Sequence, residues 1–166
     1  MSNKKYILNK EEAALKMQRL ALEVAEQLSE SVDELIIIGV QKNGFPIAEK
    51  IKMLLQDYIH QPIQIVSLTL NKAKPDEITL SSNIDFNNKN ILLCDDVMNS
   101  GKTLLYALKP LLNYHPKSIQ TLVLVERTHK QFPVKPDFVG LSLTTTLQNN
   151  IVVEIENNEI TGAYMV

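Results

Sequence analysis

The stretch ILLCDDVMNSGKTLL, residues Ile91–Leu105, decides the fold class and the first hypothesis about function. Four apolar residues run into two acids, and a loop of small and polar residues then leads into a second apolar segment. The first apolar run is continuous and does not alternate with polar residues, so it predicts a strand buried on both faces, as in a parallel sheet. Residues Lys102–Asn113 predict the helix that follows, and Pro110 should kink it or cut it short.

Segments of the same kind recur along the chain and predict alternating strands and helices. One helix is predicted over residues 10–29, where Asn9 and Glu12 form its cap, and another over Ile47–Leu55, with Pro46 in its first turn. Strands are predicted at Leu35–Val40, Ile63–Leu70, Ile91–Asp95, Ile119–Val125, Phe138–Leu143 and Ile151–Ile155, with a short irregular one at Ile78–Leu80. This order predicts an α/β fold, a parallel β-sheet core flanked by helices, with a ligand at the carboxyl ends of the strands.

Composition limits the classes of protein that this chain can belong to. Its 166 residues predict a single domain over residues 1–166, and the formal net charge of −2 gives no general attraction to nucleic acid or anionic membrane. No apolar run is long enough to span a membrane, and the polar start of the chain does not resemble a secretory signal. The single cysteine, Cys94, excludes an internal disulfide and is typical of a buried thiol. We therefore expect a cytoplasmic protein with no membrane partner.

The order of residues after the first strand has a chemical logic. A loop of small residues that enters a helix presents backbone N–H groups and a positive dipole end, which together bind a phosphate. Gly101 allows close approach of the backbone, and Ser100 and Thr103 add hydroxyl groups. Asp95 and Asp96 would repel that phosphate, but they can accept hydrogen bonds from a vicinal diol. Together these groups indicate a site for a ribose 5-phosphate.

Two other interpretations of this loop are weaker. The letters SGKT at residues 100–103 are typical of a nucleotide-binding P-loop, but that motif needs a glycine where this chain has Asp96. An ordinary solvated turn would explain Gly101 and Lys102, yet it would not explain a pair of acids at the end of a buried strand.

The segment ILLCDDVMNSGKT resembles the phosphoribosyl pyrophosphate signature of type I phosphoribosyltransferases. Residues Ile36–Ile51 are similar to the strand, pyrophosphate loop and helix of that family, and Leu122–Gly140 to its fourth strand and the start of its base-binding hood. The spacing, the length and the pair Arg127 and His129 are most similar to the pyrimidine-operon regulators, which are RNA-binding attenuators that also make UMP from uracil. The hypoxanthine-guanine enzymes are the next most similar group.

The resemblance implies a role for each matching residue. Asp95 and Asp96 would bind the ribose hydroxyls as the catalytic pair, with Mg²⁺ held mainly by the substrate and by no direct protein ligand. The 5-phosphate would be bound by Asn99, Ser100, Gly101, Lys102 and Thr103. Pyrophosphate would be bound by Gln41, Lys42, Asn43 and Gly44, and the base by Phe138 and Val139. A homodimer is also implied.

The resemblance further implies two parts beside the sheet core, a mobile flap and a hood. The polar segment Asn71–Asn83, with Asn71, Lys72 and Lys74, lies where the family has a flap that excludes water, although an ordinary polar hairpin would explain it equally well. The hood would consist of the N-terminal residues and roughly residues 126–166.

Three residues depart from the family patterns and bear on the substrate. Asn99 lies where the purine enzymes have an aspartate that acts as a base, and an amide cannot accept that proton. Glu126 replaces their lysine, which would face the purine 6-oxo group. An acid there would repel that oxygen, so a pyrimidine is favoured over a purine, although Glu126 is also typical of a strand-end acid that pairs with Arg127 or a lysine. Asn43 replaces an arginine of the regulators, which should weaken the binding of pyrophosphate.

RNA binding is a separate hypothesis. Arg127, His129, Lys130 and Lys135 could form a small basic patch that contacts phosphates, although four basic residues in nine positions are also typical of a solvated face. Three functions therefore remain open: a transferase of phosphoribosyl to a nucleobase, with uracil favoured over a purine; a nucleotide-sensing, RNA-binding attenuator of pyrimidine genes; and a relative that only binds the donor or a nucleoside monophosphate.

Overall fold

The computed structural model describes residues 4–71, 73–145 and 149–166, which form a central sheet and a smaller one. The strands of the central sheet are Leu35–Val40 (β2), Ile63–Leu70 (β3), Ile78–Leu80 (β4), Asn90–Met98 (β5), Ser118–Arg127 (β6) and Phe138–Leu143 (β7), in the order β4-β3-β2-β5-β6-β7. All of their pairings are parallel except that of β3 with β4. The small sheet contains Lys5–Leu8 (β1), Ile151–Glu156 (β8) and Glu159–Met165 (β9), in the antiparallel order β1-β9-β8.

The predicted α/β class with a parallel sheet core is confirmed, and the apolar runs explain why. Every residue of β2 is buried, because this strand lies between β3 and β5 with helices or loops on both faces. Alternate residues contribute to two separate cores. Ile37 and Leu92 belong to the core shared with the first two helices and the small sheet, while Ile36 and Leu93 belong to the core on the opposite face.

The helices are Lys10–Gln27 (α1), Gly44–Leu55 (α2) and Lys102–Ala107 (α3), and a 3-10 helix covers Lys109–Asn113. The predicted cap of α1 is confirmed, since the Glu12 amide donates to Asn9 Oδ1 at 2.8 Å and the Asn9 amide donates to Glu12 Oε2 at 2.9 Å. Pro110 has the predicted effect, because α3 ends at Ala107 and the chain continues as the tighter 3-10 turn. Helix α2 begins three residues earlier than predicted, at Gly44.

The strand that carries the two acids is longer than predicted. It continues to Met98, because its parallel pairing with β6 extends to Met98 and Glu126. Asp95, the last residue of the predicted strand, and Asp96 therefore both lie within β5, so regular backbone pairing helps to fix their positions.

The small sheet differs most from the prediction. Strands β1 and β9 were not predicted, and they pair with each other through Lys5 and Met165, so residues near both ends of the sequence form one sheet. Strand β7 belongs to the central sheet, because it pairs with β6, and not to the predicted hood of residues 126–166. We use the word hood below for the small sheet β1-β9-β8. Among the described residues, no helix is long and apolar enough to cross a membrane.

Candidate functional site

A cavity of about 740 Å³ lies at the carboxyl ends of β2 and β5, with β8 of the hood along one side. The predicted site residues that line it are Gln41, Lys42, Asn43, Asp95, Asp96, Asn99, Ser100, Gly101 and Thr103. Thr69, Leu70 and Asn150–Val153 also line the cavity and were not predicted. The parallel sheet thus brings the two predicted loops together, as ligand sites in parallel α/β sheets require.

The two acids differ in their surroundings. Asp95 is only 7% exposed, and its Oδ1 accepts a hydrogen bond from the Asp96 amide at 2.8 Å. Asp96 is half-buried, and its Oδ2 accepts a hydrogen bond from Asn43 Nδ2 at 3.1 Å. Both carboxylates line the cavity, and a carboxylate has lone pairs for several donors, so they can accept hydrogen bonds from a ligand's hydroxyl groups.

Gly101 gives the loop before α3 the shape that a phosphate site requires. Its φ of +88° lies in the left-handed region, which favours glycine. The Lys102 amide donates to Ser100 Oγ at 3.2 Å, and the Ser100 carbonyl accepts from the amides of Gln131 and Phe132, both at 3.1 Å. The loop is therefore held from outside by the segment after β6. Lys102 itself is exposed and does not line the cavity, so the loop offers backbone and hydroxyl groups and no lysine side chain.

The loop after β2 is packed tightly against the strand that carries the acids. A Cβ on Gly44 would lie 2.8 Å from the Cys94 carbonyl oxygen and 3.0 Å from Asp95 Cα, so only glycine fits there. Gln41 and Lys42 are exposed at the cavity, and the peptide bond between them is cis. The predicted pyrophosphate loop therefore lies directly beside the acids.

We call the ends of β2 and β5 with the loops that follow them, residues 41–44 and 95–103, the floor of the cavity. Two asparagines of this floor form hydrogen bonds with the hood. Asn99 Oδ1 accepts from the Ile151 amide at 3.1 Å, and Asn99 Nδ2 donates to the Ile151 carbonyl at 3.3 Å. Asn43 Nδ2 donates to the Val153 carbonyl at 3.2 Å as well as to Asp96. The Asn99 side chain therefore contacts β8 while Asn99 lines the cavity, and the roles of Asn99 and of Ser100–Thr103 at the 5-phosphate stay a prediction.

The predicted base-binding residues do not line the cavity. Phe138 is 4% exposed and packs in the hydrophobic core, because it begins β7, two strands away from the acids on β5. The Val139 carbonyl accepts a hydrogen bond from Arg19 Nη2 at 3.2 Å, so that peptide is bound to α1. Asn150 and the first three residues of β8, Ile151–Val153, line the cavity instead. The apolar run that begins at Ile151 was the available signal for them.

The predicted basic patch is not one continuous surface. Arg127 is 5% exposed, and its Nη1 donates to the Asn149 carbonyl at 2.7 Å, because it closes the end of β6 against the chain that leads into β8. Lys130 donates to the Val134 carbonyl at 2.9 Å, whereas His129 and Lys135 are exposed. Arg127 is therefore a structural residue, and only part of the predicted patch is open to a ligand.

The segment that corresponds to the predicted flap begins as a hairpin. Strand β4 pairs with β3, and Asn71 Oδ1 accepts from the amides of Ala73 and Lys74 at 2.9 and 3.3 Å. Asn71 and Lys74 are exposed, and Lys72 lies outside the described residues. Thr69 and Leu70, the last two residues of β3 before the connecting loop, line the cavity. The hairpin interpretation is confirmed, and movement of the segment stays a prediction.

Burial and chemistry limit what the remaining groups can do. Burial, with a smaller contribution from the charge of Asp95, raises the pKa of the Cys94 thiol far above its ordinary value, so this cysteine is no nucleophile. Glu126, the acid that favoured a pyrimidine, accepts a hydrogen bond from Ser142 Oγ at 2.7 Å and does not line the cavity. In the parts of the chain that the structure describes, no three His, Cys, Asp or Glu side chains come together as metal ligands.

Comparison with known proteins defines the class to which this fold and site belong. The family model described as phosphoribosyl transferase domain matches residues 4–158. The fold is similar to that of the hypoxanthine phosphoribosyltransferase of Trypanosoma cruzi, with a TM-score of 0.74 at 19% identity, covering 84% of this chain and 81% of that chain. A hypoxanthine-guanine phosphoribosyltransferase from Bacillus anthracis gives a TM-score of 0.72 at 19% identity, covering 92% and 88%. The chain belongs to the phosphoribosyltransferase domain family.

Sequence comparison points to a particular group in this family. A protein named bifunctional protein PyrR from Clostridium novyi (strain NT) is 29% identical over 172 residues, which cover 96% of this chain and 96% of the relative. Another protein of that name from Picosynechococcus sp. is 31% identical over 160 residues, covering 91% and 90%. The resemblance to the pyrimidine-operon regulators is thus confirmed, while the structural neighbours at 19% identity show only the fold.

Proposed function

We propose that this protein transfers the phosphoribosyl group of 5-phosphoribosyl 1-pyrophosphate to uracil, with Mg²⁺, and releases pyrophosphate and UMP. One observation carries the proposal: two carboxylates, a glycine-containing loop before a helix and a second tight loop all face one cavity. These groups match the diol, the 5-phosphate and the pyrophosphate of the donor in turn. Family membership supports the reaction class.

The proposed reaction breaks the bond between C1 of the ribose and pyrophosphate and forms a bond from C1 to a nitrogen of the base, which loses a proton. Positive charge develops on the ribose, and negative charge develops on the leaving pyrophosphate. The carboxylates of Asp95 and Asp96 hold the ribose hydroxyls and stabilise the positive charge. Backbone N–H groups of the loop that contains Gly44 and of the loop that contains Gly101 are positioned before the reaction to bind the phosphates.

Magnesium would neutralise the charge of the pyrophosphate when bound with it. The cavity offers hard oxygen ligands from Asp95 and Asp96, which suit this ion, but too few for a site made by the protein alone. Most ligands of the ion would therefore have to come from the substrate and from water, as we expect from the resemblance.

The preference for a pyrimidine is supported by the engagement of Asn99. Both polar atoms of its side chain bind the Ile151 peptide, and an amide does not take up a proton, so it cannot serve as the base that a purine acceptor would need. Relatives named bifunctional protein PyrR are consistent with this preference.

A direct assay tests the proposal. The purified chain is given the donor and Mg²⁺ with uracil, hypoxanthine, guanine or adenine in turn, and we expect UMP from uracil only. The double substitution Asp95→Asn and Asp96→Asn should lower donor affinity at least about a hundredfold, because charge-assisted hydrogen bonds are lost. Asp57→Asn, at an exposed acid outside the cavity, is the matched control. If no base yields a nucleoside monophosphate, transfer is wrong, and calorimetry then separates a donor-binding relative from a chain that does not bind the donor.

A second candidate is a nucleotide-sensing, RNA-binding attenuator that uses the same cavity. The exposed basic side chains of His129 and Lys135, on the segment that holds the phosphate loop, support it. A gel-shift measurement with pyrimidine-operon leader RNA at low salt, with and without UMP, tests it. Substitution of His129 and Lys135 by alanine should weaken binding and reduce its salt dependence. Absence of any shift under both conditions would eliminate this candidate.

A further inference from the structure

Strand β8 has an open edge that faces the cavity. The small sheet has the order β1-β9-β8, so only one edge of β8 is paired within it. Asn150 and Val166 exchange two backbone hydrogen bonds at 3.1 and 3.0 Å. In an antiparallel ladder, residue pairs that exchange hydrogen bonds alternate with pairs that do not. Because Asn150 is of the first kind, the N–H and C=O groups of Ile151 and Val153 point away from β9. An open edge of this kind needs a partner or remains loosely held.

Asn99 supplies a partner for Ile151. Its amide oxygen accepts from the Ile151 N–H at 3.1 Å, and its amide nitrogen donates to the Ile151 carbonyl at 3.3 Å. A side-chain amide carries one acceptor and one donor group, so it satisfies this peptide pair as a neighbouring strand would. An aspartate at position 99 would accept from the N–H but would place an oxygen against the Ile151 carbonyl.

Asn43 holds the same edge two residues further along. Its Nδ2 lies 3.2 Å from the Val153 carbonyl oxygen and 3.1 Å from Asp96 Oδ2, so it joins the strand to one of the two acids. Asn99 and Asn43 come from different loops of the cavity floor, and both replace the charged residues expected from the family. The two asparagines therefore both form hydrogen bonds that connect the floor to the hood.

We infer that Asn99 and Asn43 are positioning residues that hold β8 against the cavity and so fix the wall, Asn150–Val153, on which the base binds. The part that concerns the base rests on the proposed function. Under the proposed function, a nucleotide would contact both the floor and this wall, whereas the donor would need the floor alone. Loss of the connection should therefore weaken nucleotide binding more than donor binding.

The experiment compares the wild-type chain with Asn99→Ala, Asn99→Asp and Asn43→Ala. Asn113→Ala, at an exposed asparagine that ends the 3-10 helix, is the matched control. Amide hydrogen exchange is followed at Ile151 and at the core residues Leu92 and Leu93, and calorimetry gives the affinities for UMP and for the donor. In Asn99→Ala we expect exchange at Ile151 to become about tenfold faster, with no change at the core residues.

The binding measurements separate positioning from general damage. Asn99→Ala should weaken UMP binding about tenfold and donor binding by less than about threefold. Asn43→Ala is followed by hydrogen exchange in β8 alone, because Asn43 also belongs to the loop proposed for the pyrophosphate of the donor. Asn99→Asp should keep part of the protection at Ile151, because one acceptor remains. Unchanged exchange at Ile151 in Asn99→Ala, or equal weakening of both ligands, would overturn the inference. If the wild-type chain binds neither ligand, the proposed function fails, and exchange alone decides whether the asparagines hold β8.

Discussion

The floor of the cavity and the hood beside it are built in different ways. The floor consists of loops that follow parallel strands, so backbone pairing within the central sheet places Asp95, Gly44 and Gly101. The hood joins residues near both ends of the sequence into a small antiparallel sheet of its own. It packs on the core shared with the first two helices, and polar side chains such as Asn99 and Arg127 bind it beside the cavity. We therefore expect the floor to be rigid and the hood to open separately, at a lower cost in free energy.

This difference also separates two tasks. The floor carries the groups suited to the part of the donor that does not change between substrates, and these groups lie close together in sequence. The hood provides the opposite wall, Asn150–Val153, which in the proposed function would meet the variable part, the base. Because the hood is bound beside the cavity by side chains, a substitution among those side chains need not disturb the central strands. The same floor could then be combined with walls that suit different bases.

The largest expected effect concerns Cys94, which lies under the floor and is fully buried. A thiol reagent should modify it only when the central sheet unfolds, so labelling should be at least about a thousandfold slower than for a free thiol. Mass spectrometry over a time course measures the rate. The hood-loosening substitution Asn99→Ala should leave this rate unchanged if the hood opens separately. Rapid labelling of the wild-type chain would show that the central sheet opens readily and would contradict a rigid floor.

Two glycines allow the same substitution to be made in each region. In Gly44→Ala the new Cβ would meet the Cys94 carbonyl oxygen at 2.8 Å, and in Gly162→Ala it would meet the Leu8 carbonyl oxygen at 2.9 Å. Each should cost about 3 kcal/mol of the free energy of unfolding, because backbone has to move. Gly44→Ala should also abolish donor binding, whereas Gly162→Ala should preserve it. Urea unfolding and calorimetry measure the two effects, and loss of donor binding in Gly162→Ala would contradict the separation.

The same difference explains what the sequence could predict. Strand β2, strand β5 with Asp95 and Asp96, and the loop with Gly101 carry local signals: continuous apolar runs, acids, and a glycine before a helix. Strands β1 and β9 lack such signals, since KYIL is short and EITGAYM contains a glycine, and each is stable only beside a partner distant in sequence.

Errors in the site have the same origin. Phe138 was assigned to the base because its motif resembles the family's hood, but burial in the core depends on the packing of β7, which no local pattern reports. The contacts of the Asn99 and Arg127 side chains with the chain around β8 were likewise not predicted. Side chains that attach one region to another cannot be recognised until the position of the second region is known.

Arg127 provides a smaller test of how the hood is attached. Arg127→Met removes the hydrogen bond to the Asn149 carbonyl at 2.7 Å, and leaves a half-buried carbonyl without its donor. We expect a loss of about 1 to 2 kcal/mol in the free energy of unfolding, measured by urea denaturation. Lys135→Met, at an exposed residue, is the control and should change it by less than about 0.5 kcal/mol. Equal effects of the two substitutions would mean that Arg127 does not hold the hood.

The smallest expected effect comes from the outer face of the hood. Glu154 Oε1 accepts from Lys4 Nζ at 3.0 Å, and Oε2 accepts from the Tyr6 hydroxyl at 3.1 Å. The hydrogen bond from Lys4 lowers the pKa of Glu154, although partial desolvation opposes it, and the hydrogen bond from Tyr6 lowers it further. A lowered pKa in the folded state means that the contribution to stability is complete above the ordinary carboxyl pKa and is lost as the pH falls through the lowered value.

The ion pair of Lys4 and Glu154 should therefore stabilise β1 against β8 and β9 at neutral pH and not in acid. The melting temperature of Glu154→Gln should lie slightly below that of the wild-type chain at pH 7, and the two should converge as the solution is acidified, because protonation removes the same charge. Glu156→Gln, at an exposed acid of the same strand, controls for a general change in charge. Salt should reduce the difference at pH 7, since exposed ion pairs are screened. A difference that persists in acid would mean that packing of the side chain, and not its charge, holds this edge of the hood.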